Sequence, residues 1–408
     1  MAVVPIYIGS YASLTGMKRP ANAPKRKKKS TSPLEDSDDE ETISESLSAS
    51  DAWMFPIMGS IVLFSLYLVF RYVDKEYIDY MITAYFGLMG TAAVTKTSIL
   101  LAQKTVPLCL LKHVEKYKIT ISNKGKDLYR TSVTGVHFLL SIVSLALTVY
   151  YSLTKNWIAS NILGLCFSIN AIQLLSLDSF KTGMILLSGL FFYDIFWVFG
   201  TEVMVSVAKN FDAPIKVIWP RDIIDFVTNE HAKAAFAMLG LGDIVIPGIF
   251  VALALRFDRH MSWNKNPSGE FRSTDFSKPY FTSCLIAYFL GLVTTMVVMH
   301  VFHAAQPALL YLSPACILSV LITGAARGEL KDVFGYVADD EDEEKKNKKD
   351  KKKKNKSVTT TDEKKEQSVD TTEDKEEESV DQVESESELV SNETKSPKKS
   401  KKKSKKKN

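Results

Sequence analysis

The chain has little of what builds metal centres or disulfide frameworks. Its four cysteines, Cys109, Cys166, Cys284 and Cys316, are scattered through 408 residues, with no C-x-x-C pair and no metal-ligand spacing. Three of them lie in apolar runs, where a thiol behaves as a small hydrophobe. Of the six histidines, His300 and His303 stand close together but lack the partners that a metal site needs, and they read as interface or packing residues. No metal and no cofactor is expected. The opening MAVVPIYIGSYASLTG has no basic n-region, so it does not read as a signal peptide. No inverted repeat relates the two halves of the chain.

Apolar residues are plentiful, at 46% of the sequence, and they are concentrated in 53–326. The net charge of +4 averages this greasy centre with highly charged ends. Runs of about 20 apolar residues are long enough to cross a bilayer. Complete spans are expected near 53–73, 78–102, 133–154, 157–176, 182–206, 234–256, 280–303 and 307–326. Residues 1–16 form a partial first transmembrane segment, too short to cross as a regular helix, or an interfacial segment. The connection 103–132 carries Lys104, Lys112, Lys116, Lys118, Lys124, Lys126 and Arg130, and the one after the sixth span carries Arg256, Arg259, Lys265, Arg272 and Lys278. With eight spans, both basic loops fall on one side together with the chain ends, and that side is the cytosol.

The remaining segments follow from charge. Residues 17–52 run from KRPANAPKRKKK to EDSDDEE and read as a charged cytosolic linker rather than a nuclear-import patch. Residues 53–181 form an N-terminal helical membrane region, and 182–330 a second one. Residues 331–408 are a charged cytosolic tail; from 337 onward there is almost nothing to bury, so disorder is expected. The tail ends KKKN, with Lys405 and Lys406 placed as in a dilysine retrieval signal of the endoplasmic reticulum.

Most spans carry only neutral polar residues. Asn161, Asn170 and Gln173 in NWIASNILGLCFSINAIQLL suit hydrogen bonds between helices. Two acids are different: Asp194 in LLSGLFFYDIFWVFG and Asp243 in FAMLGLGDIVIPGIF. An ionised Asp at mid-bilayer costs roughly 2.5–3.5 kcal/mol on insertion scales, so such residues face a partner or a wet cavity. The 12 residues from Asp194 to the expected span end at 206 amount to roughly 18 Å of helix. The nine from 234 to Asp243 amount to about 14 Å. Both are measured from the same surface, so the carboxylates lie at similar depth on adjacent helices. Two carboxylates together in a low dielectric cannot both ionise and hold one proton between them. The ionised member can take a proton from water while the protonated one polarises a carbonyl, which is the acid–base pair of peptide hydrolysis.

Gly240 and Gly242 remove side chains just before Asp243, so that backbone or substrate can come close. They also loosen the helix there, which is tolerated where it lines a wet cavity. Taken alone, the same glycines suit a helix-packing face. Pro307 in AAQPALLYL fits a first helical turn, where no amide donor is needed.

Tyr193–Asp194, then Gly240-Leu241-Gly242-Asp243, then Pro307-Ala308-Leu309 occur in that order on successive spans. Together with YDIFWVFGTEVMVSVAKNFDAPIK, FAMLGLGDIVIPGIF and HAAQPALLYLSPAC, they resemble the signal-peptide-peptidase branch of the GxGD intramembrane aspartyl proteases, over most of 53–330. The resemblance implies an all-α polytopic bundle of about nine transmembrane helices, related to presenilin, of which MAVVPIYIGSYASL matches only the second half of the first. It implies that Asp194 and Asp243 are the catalytic pair and that Pro307-Ala308-Leu309 shapes the site beside them. It implies substrates that are membrane-spanning helices of type II orientation, notably signal-peptide remnants. It also implies the endoplasmic reticulum membrane, a homo-oligomer with quality-control partners there, and no nucleic acid. The short 207–233 loop and the basic-loop pattern argue against presenilin's own branch. A signal-peptide-peptidase-like protease with other type II substrates remains an alternative. From other classes, a proton- or cation-coupled transporter would use two midplane carboxylates as an ion site, and a membrane scaffold would leave them unexplained.

Overall fold

The computed structural model describes residues 1–17, 45–105, 116–123, 126–201, 203, 207, 213–220, 236–265, 274–302 and 306–338. The charged segment 18–44, the tail from 339, Cys109 and His303 lie outside the described residues. The chain divides into two units, Met1–Glu343 and Glu344–Asn408, and the described residues all lie in the first.

Eight long helices among the described residues overlap the eight expected spans: α2 (Ala49–Tyr72), α3 (Lys75–Thr105), α4 (Gly135–Thr154), α5 (Trp157–Leu174), α6 (Phe180–Phe199), α7 (Gly242–Lys265), α8 (Pro279–Phe302) and α9 (Leu309–Arg327). Short helices precede and follow them, α1 (Val3–Ser13) and α10 (Leu330–Gly335). Six of the eight are long and apolar enough to cross a membrane by length and composition; α3 and α7 fall outside that set. α7 carries Arg256, Asp258 and Arg259 toward its end. The protein is a predominantly helical, multi-pass membrane protein.

Local chemistry sets the helix ends. Ser48 and Asp51 form a reciprocal capping box, so α2 starts inside the segment expected to be linker. Lys155 takes a left-handed conformation (φ 50°) that stops α4, and the Asn156 side chain then accepts the Ile158 N–H at 2.9 Å to start α5. At the end of α9, Gly328 is left-handed (φ 67°), and the Glu329 N–H returns to the Gly324 carbonyl at 2.9 Å.

Three two-stranded ladders interrupt the expectation of helices alone. β1 (Glu45–Leu47) pairs in parallel with β4 (Leu175–Leu177). β2 (Lys116–Asn123) and β3 (Lys126–Thr134) form an antiparallel hairpin in the basic connection 103–132 that runs on into the first two residues of the expected third span. β5 (Lys216–Pro220) pairs antiparallel with β6 (Phe236–Gly240). The last is a correction: residues 236–240 belong to the expected sixth span, yet they are strand.

The core lies among α1, α5, α6, α7, α8 and α9. Lipid tails supply no hydrophobic drive between helices, so close packing has to. A Cβ on Gly183 would sit 2.6 Å from the Phe250 ring, and one on Gly248 would sit 2.6 Å from Ile172. α1 is anchored to the core, for Ile6 is fully buried and lies against Gly248. Phe180, Phe250, Phe257, Tyr280 and Tyr336 pack ring to ring, mostly edge-on. Val333 is fully buried too, so residues 331–338, expected to open the tail, belong to the packed body. At the periphery, α2 leaves Trp53, Ile57, Ile61 and Phe64 exposed, an apolar surface suited to lipid.

Buried polar groups are mostly paired. Asn170 donates to the Ala93 carbonyl, Thr97 Oγ1 and the Cys166 carbonyl, joining α3 to α5 as expected of an interhelical amide. Gln173 Oε1 is buried without a partner among the described residues. Cys166, Cys284 and Cys316 are free and buried. Asp258 on α7, which the sequence reading passed over, accepts the N–H groups of Tyr280 (3.3 Å) and Phe281 (2.8 Å), and so caps the first turn of α8.

Candidate functional site

Asp194 sits on α6, and its carboxylate is almost fully buried. Oδ2 accepts the backbone N–H of Leu309 at 3.1 Å. That amide opens α9, whose helix begins at Leu309 with Ala308 at its cap. An amide of a first helical turn has no partner within its own helix, and the helix dipole favours an anion there. Pro307 therefore precedes the cap rather than filling the first turn. Pro307, Ala308 and Leu309 are all buried beside Asp194.

Asp243 also occupies a first turn. Strand β6 ends at Gly240, and the Leu241 N–H still bonds the Ile215 carbonyl at 2.9 Å. The Leu241 carbonyl then accepts from Ile244 and Val245, so this one residue ends the ladder and begins α7. The helix does not run back across 236–240 because the extended backbone there pairs with β5. Glycine's poor helix propensity on both sides of Leu241 favours the break. The depth arithmetic from the sequence accordingly fails: α6 ends at Phe199, and Asp243 is the second residue of its helix.

Asp194 lies within electrostatic range of Asp243. The Asp243 carboxylate takes a hydrogen bond from the Gly240 N–H. A Cβ on Gly240 would stand 3.3 Å from Asp243 Oδ2, whereas one on Gly242 would meet nothing within 4 Å among the described residues. Gly240 thus makes room for the carboxylate, and Gly242 borders open space. Leu241 packs on α5, with its Cδ1 3.2 Å from where a Cβ on Gly164 would be. Tyr193 is half-buried beside Asp194. Its ring faces Gly59 of α2 and lies 6.3 Å from Trp197, ring centre to ring centre. Trp197 Nε1 bonds Ser60 Oγ at 3.1 Å, which fastens α2 to α6.

Two residues touch this machinery in ways that the sequence did not announce. Asn161, read as glue between helices, bonds a strand instead. Its Nδ2 donates to the Ile218 carbonyl at 2.7 Å, and its Oδ1 accepts the Ile218 N–H at 2.8 Å. A side-chain amide from α5 thereby fixes β5, and through β6 the backbone leading to Asp243. Tyr288 on α8 donates its hydroxyl to the Asp243 carbonyl at 3.3 Å. Its only sequence signal is a polar-tipped residue in an apolar span. His300 is exposed, and among the described residues no group of three or more His, Cys, Asp or Glu side chains could hold a metal.

Comparison with known proteins agrees with the motifs. A sequence model described as signal peptide peptidase matches residues 37–340. The signal peptide peptidase of Homo sapiens is 41% identical over 297 residues, covering 72% of this chain and 74% of that protein. Its Mus musculus counterpart is 42% identical over the same length. A probable intramembrane protease of Schizosaccharomyces pombe is 37% identical over 290 residues, 71% of this chain and 83% of its own. With a family match over more than half its length and relatives of this similarity along most of theirs, the chain belongs to the signal peptide peptidase family and is a membrane-embedded protease.

Proposed function

We propose that the chain is an aspartic endopeptidase in which Asp194 and Asp243 are the catalytic pair. The observation that carries this reading is two carboxylates in electrostatic range of one another, Asp243 in the first turn of α7 and Asp194 against the first turn of α9, each holding a backbone N–H. Amides and helix dipoles directed at both groups suit a shared negative charge in a low-dielectric site. One carboxylate takes a proton as water adds to the scissile carbonyl carbon, while the other gives its proton to the carbonyl oxygen. The tetrahedral diol then collapses: the C–N bond breaks, the amine leaves with the proton held by one carboxyl, a diol hydroxyl gives its proton to the other carboxylate as the C=O bond re-forms, and one shared proton is again on the pair. Tyr193, Gly240, Leu241, Gly242, Pro307, Ala308 and Leu309 shape the site around the two acids.

The substrates are transmembrane helices of type II orientation, chiefly signal-peptide remnants in the endoplasmic reticulum membrane, with the charged tail in the cytosol. The relatives' printed name, signal peptide peptidase, supports the substrate class, and the basic loops support the orientation. A helical substrate hides its scissile amide in i to i−4 bonds and must be unwound locally before attack. Open space at Gly242 leaves room for such a strand next to Asp243.

The test is cleavage of a synthetic signal peptide by purified protein. Asp194→Ala and Asp243→Ala should each abolish it, and the double variant should be no worse, since the two act as one unit. The Asn variants should be inactive as well, because an amide cannot exchange the proton. Full turnover by either Asn variant in correctly inserted protein would remove the dyad from the reaction.

A further inference from the structure

Pro247 lies four residues after Asp243 in α7. In α-helical register the carbonyl of residue 243 accepts the N–H of residue 247. Proline has no N–H, and its ring crowds the carbonyl four residues before it. The first turn of α7 therefore leaves one main-chain acceptor unserved, and that acceptor belongs to Asp243. Unpaired carbonyls inside a membrane protein are costly, and side chains of neighbouring helices commonly supply the missing partner. Here the partner is Tyr288, whose hydroxyl reaches the Asp243 carbonyl at 3.3 Å from α8. The Tyr288 side chain is fully buried, so its hydroxyl has little freedom to point elsewhere.

We propose that Tyr288 is a positioning residue for Asp243: its hydroxyl replaces the donor that Pro247 removes, and it sets the backbone from which the carboxylate projects. The proposal rests on the catalytic role of Asp243 given above. Asp243 is then held at two points. Gly240 bonds the carboxylate, and Tyr288 bonds the main chain. The proline has a use in this arrangement. A regular helix would tie the 243 carbonyl to its own axis, whereas the break hands its orientation to α8, a separate element.

The experiment is a double-mutant cycle on the full chain in lipid nanodiscs, using a fluorogenic transmembrane peptide and reading kcat and KM separately. Tyr288→Phe keeps the ring and removes one oxygen. It should lower kcat about tenfold, with KM changed less than about twofold, because misplacing a catalytic group acts on the chemical step. Pro247→Ala restores an N–H at 247, so in that background Tyr288→Phe should cost less than about twofold. Affinity for a peptide mimic bearing a hydroxyl at the scissile position should fall in parallel with kcat. That affinity is a property of the folded fraction alone, so it reads the cycle even where a variant folds poorly. An equal loss from Tyr288→Phe in both backgrounds would overturn the positioning role and leave a merely structural tyrosine. So would an unchanged kcat. Asp243→Asn in the same series separates the two ideas. If it is inactive while the cycle shows no coupling, only the positioning fails; if it turns over, the dyad fails and the positioning with it.

Discussion

Asn161 makes two short hydrogen bonds to one residue of the hairpin that leads to Asp243, so replacing it should loosen that hairpin measurably. We predict this for Asn161→Leu, which keeps the size of the side chain and removes both the bond to the Ile218 carbonyl (2.7 Å) and the bond from its N–H (2.8 Å). Each such bond contributes about 1 kcal/mol net, so the pair contributes about 2 kcal/mol, or roughly a thirtyfold change in the local opening equilibrium. Amide hydrogen exchange in detergent micelles reads this directly, because the Ile218 N–H is itself one of the bonded groups. Exchange at 216–220 should accelerate roughly thirtyfold, while exchange in α4 should be unaffected. Activity should fall too, by about tenfold in kcat, since β6 carries the Gly240 N–H that holds the Asp243 carboxylate. If exchange at Ile218 stays within about threefold of the parent protein, the amide is not what secures β5, and this account of how the hairpin is placed must be given up.

Other expected outcomes follow from the charged groups and the packing at the helix ends. Arg327 beside Glu329 (2.9 Å) holds that carboxyl below its usual range. A depressed acid stabilises the fold above its unfolded value near 4.3 and loses that contribution as pH falls through its folded value. Glu329→Gln should therefore flatten the acid limb of a Tm-against-pH curve, and an unchanged limb would show that the cluster with Lys265 and Tyr280 does not couple to folding. Asp258→Ala removes the cap on α8 and should cost about 1–2 kcal/mol, seen as a lower Tm with kcat per folded molecule preserved; equal Tm values would contradict the capping role. Gly183→Ala would place a methyl group 2.6 Å from the Phe250 ring and should destabilise by about 1–3 kcal/mol, whereas a stable variant would mean that α6 and α7 can separate freely.

What the sequence alone determined is what a bilayer dictates locally. Length, apolarity and internal hydrogen bonding are properties of a single helix, so the eight long helices were legible without knowing their neighbours. The two acids were legible because a carboxylate in apolar sequence is costly wherever it ends up. The order of the YD, GLGD and PAL motifs was legible too. Tertiary structure decided the rest. Residues 236–240 look helical by composition and become strand because their partner lies some twenty residues earlier in the chain. That pairing, which no helical period announces, moves Asp243 from mid-span to a first turn. Asn161 and Gln173 look alike in sequence, yet one clasps β5 and the other is buried without a partner among the described residues. The Leu309 amide that meets Asp194 comes from 115 residues away. The short α1 is held in the core by contacts with α5 and α7 that its own eleven residues do not encode. In each case the deciding partner is distant in sequence, so only the packed chain brings it within hydrogen-bond or van der Waals reach.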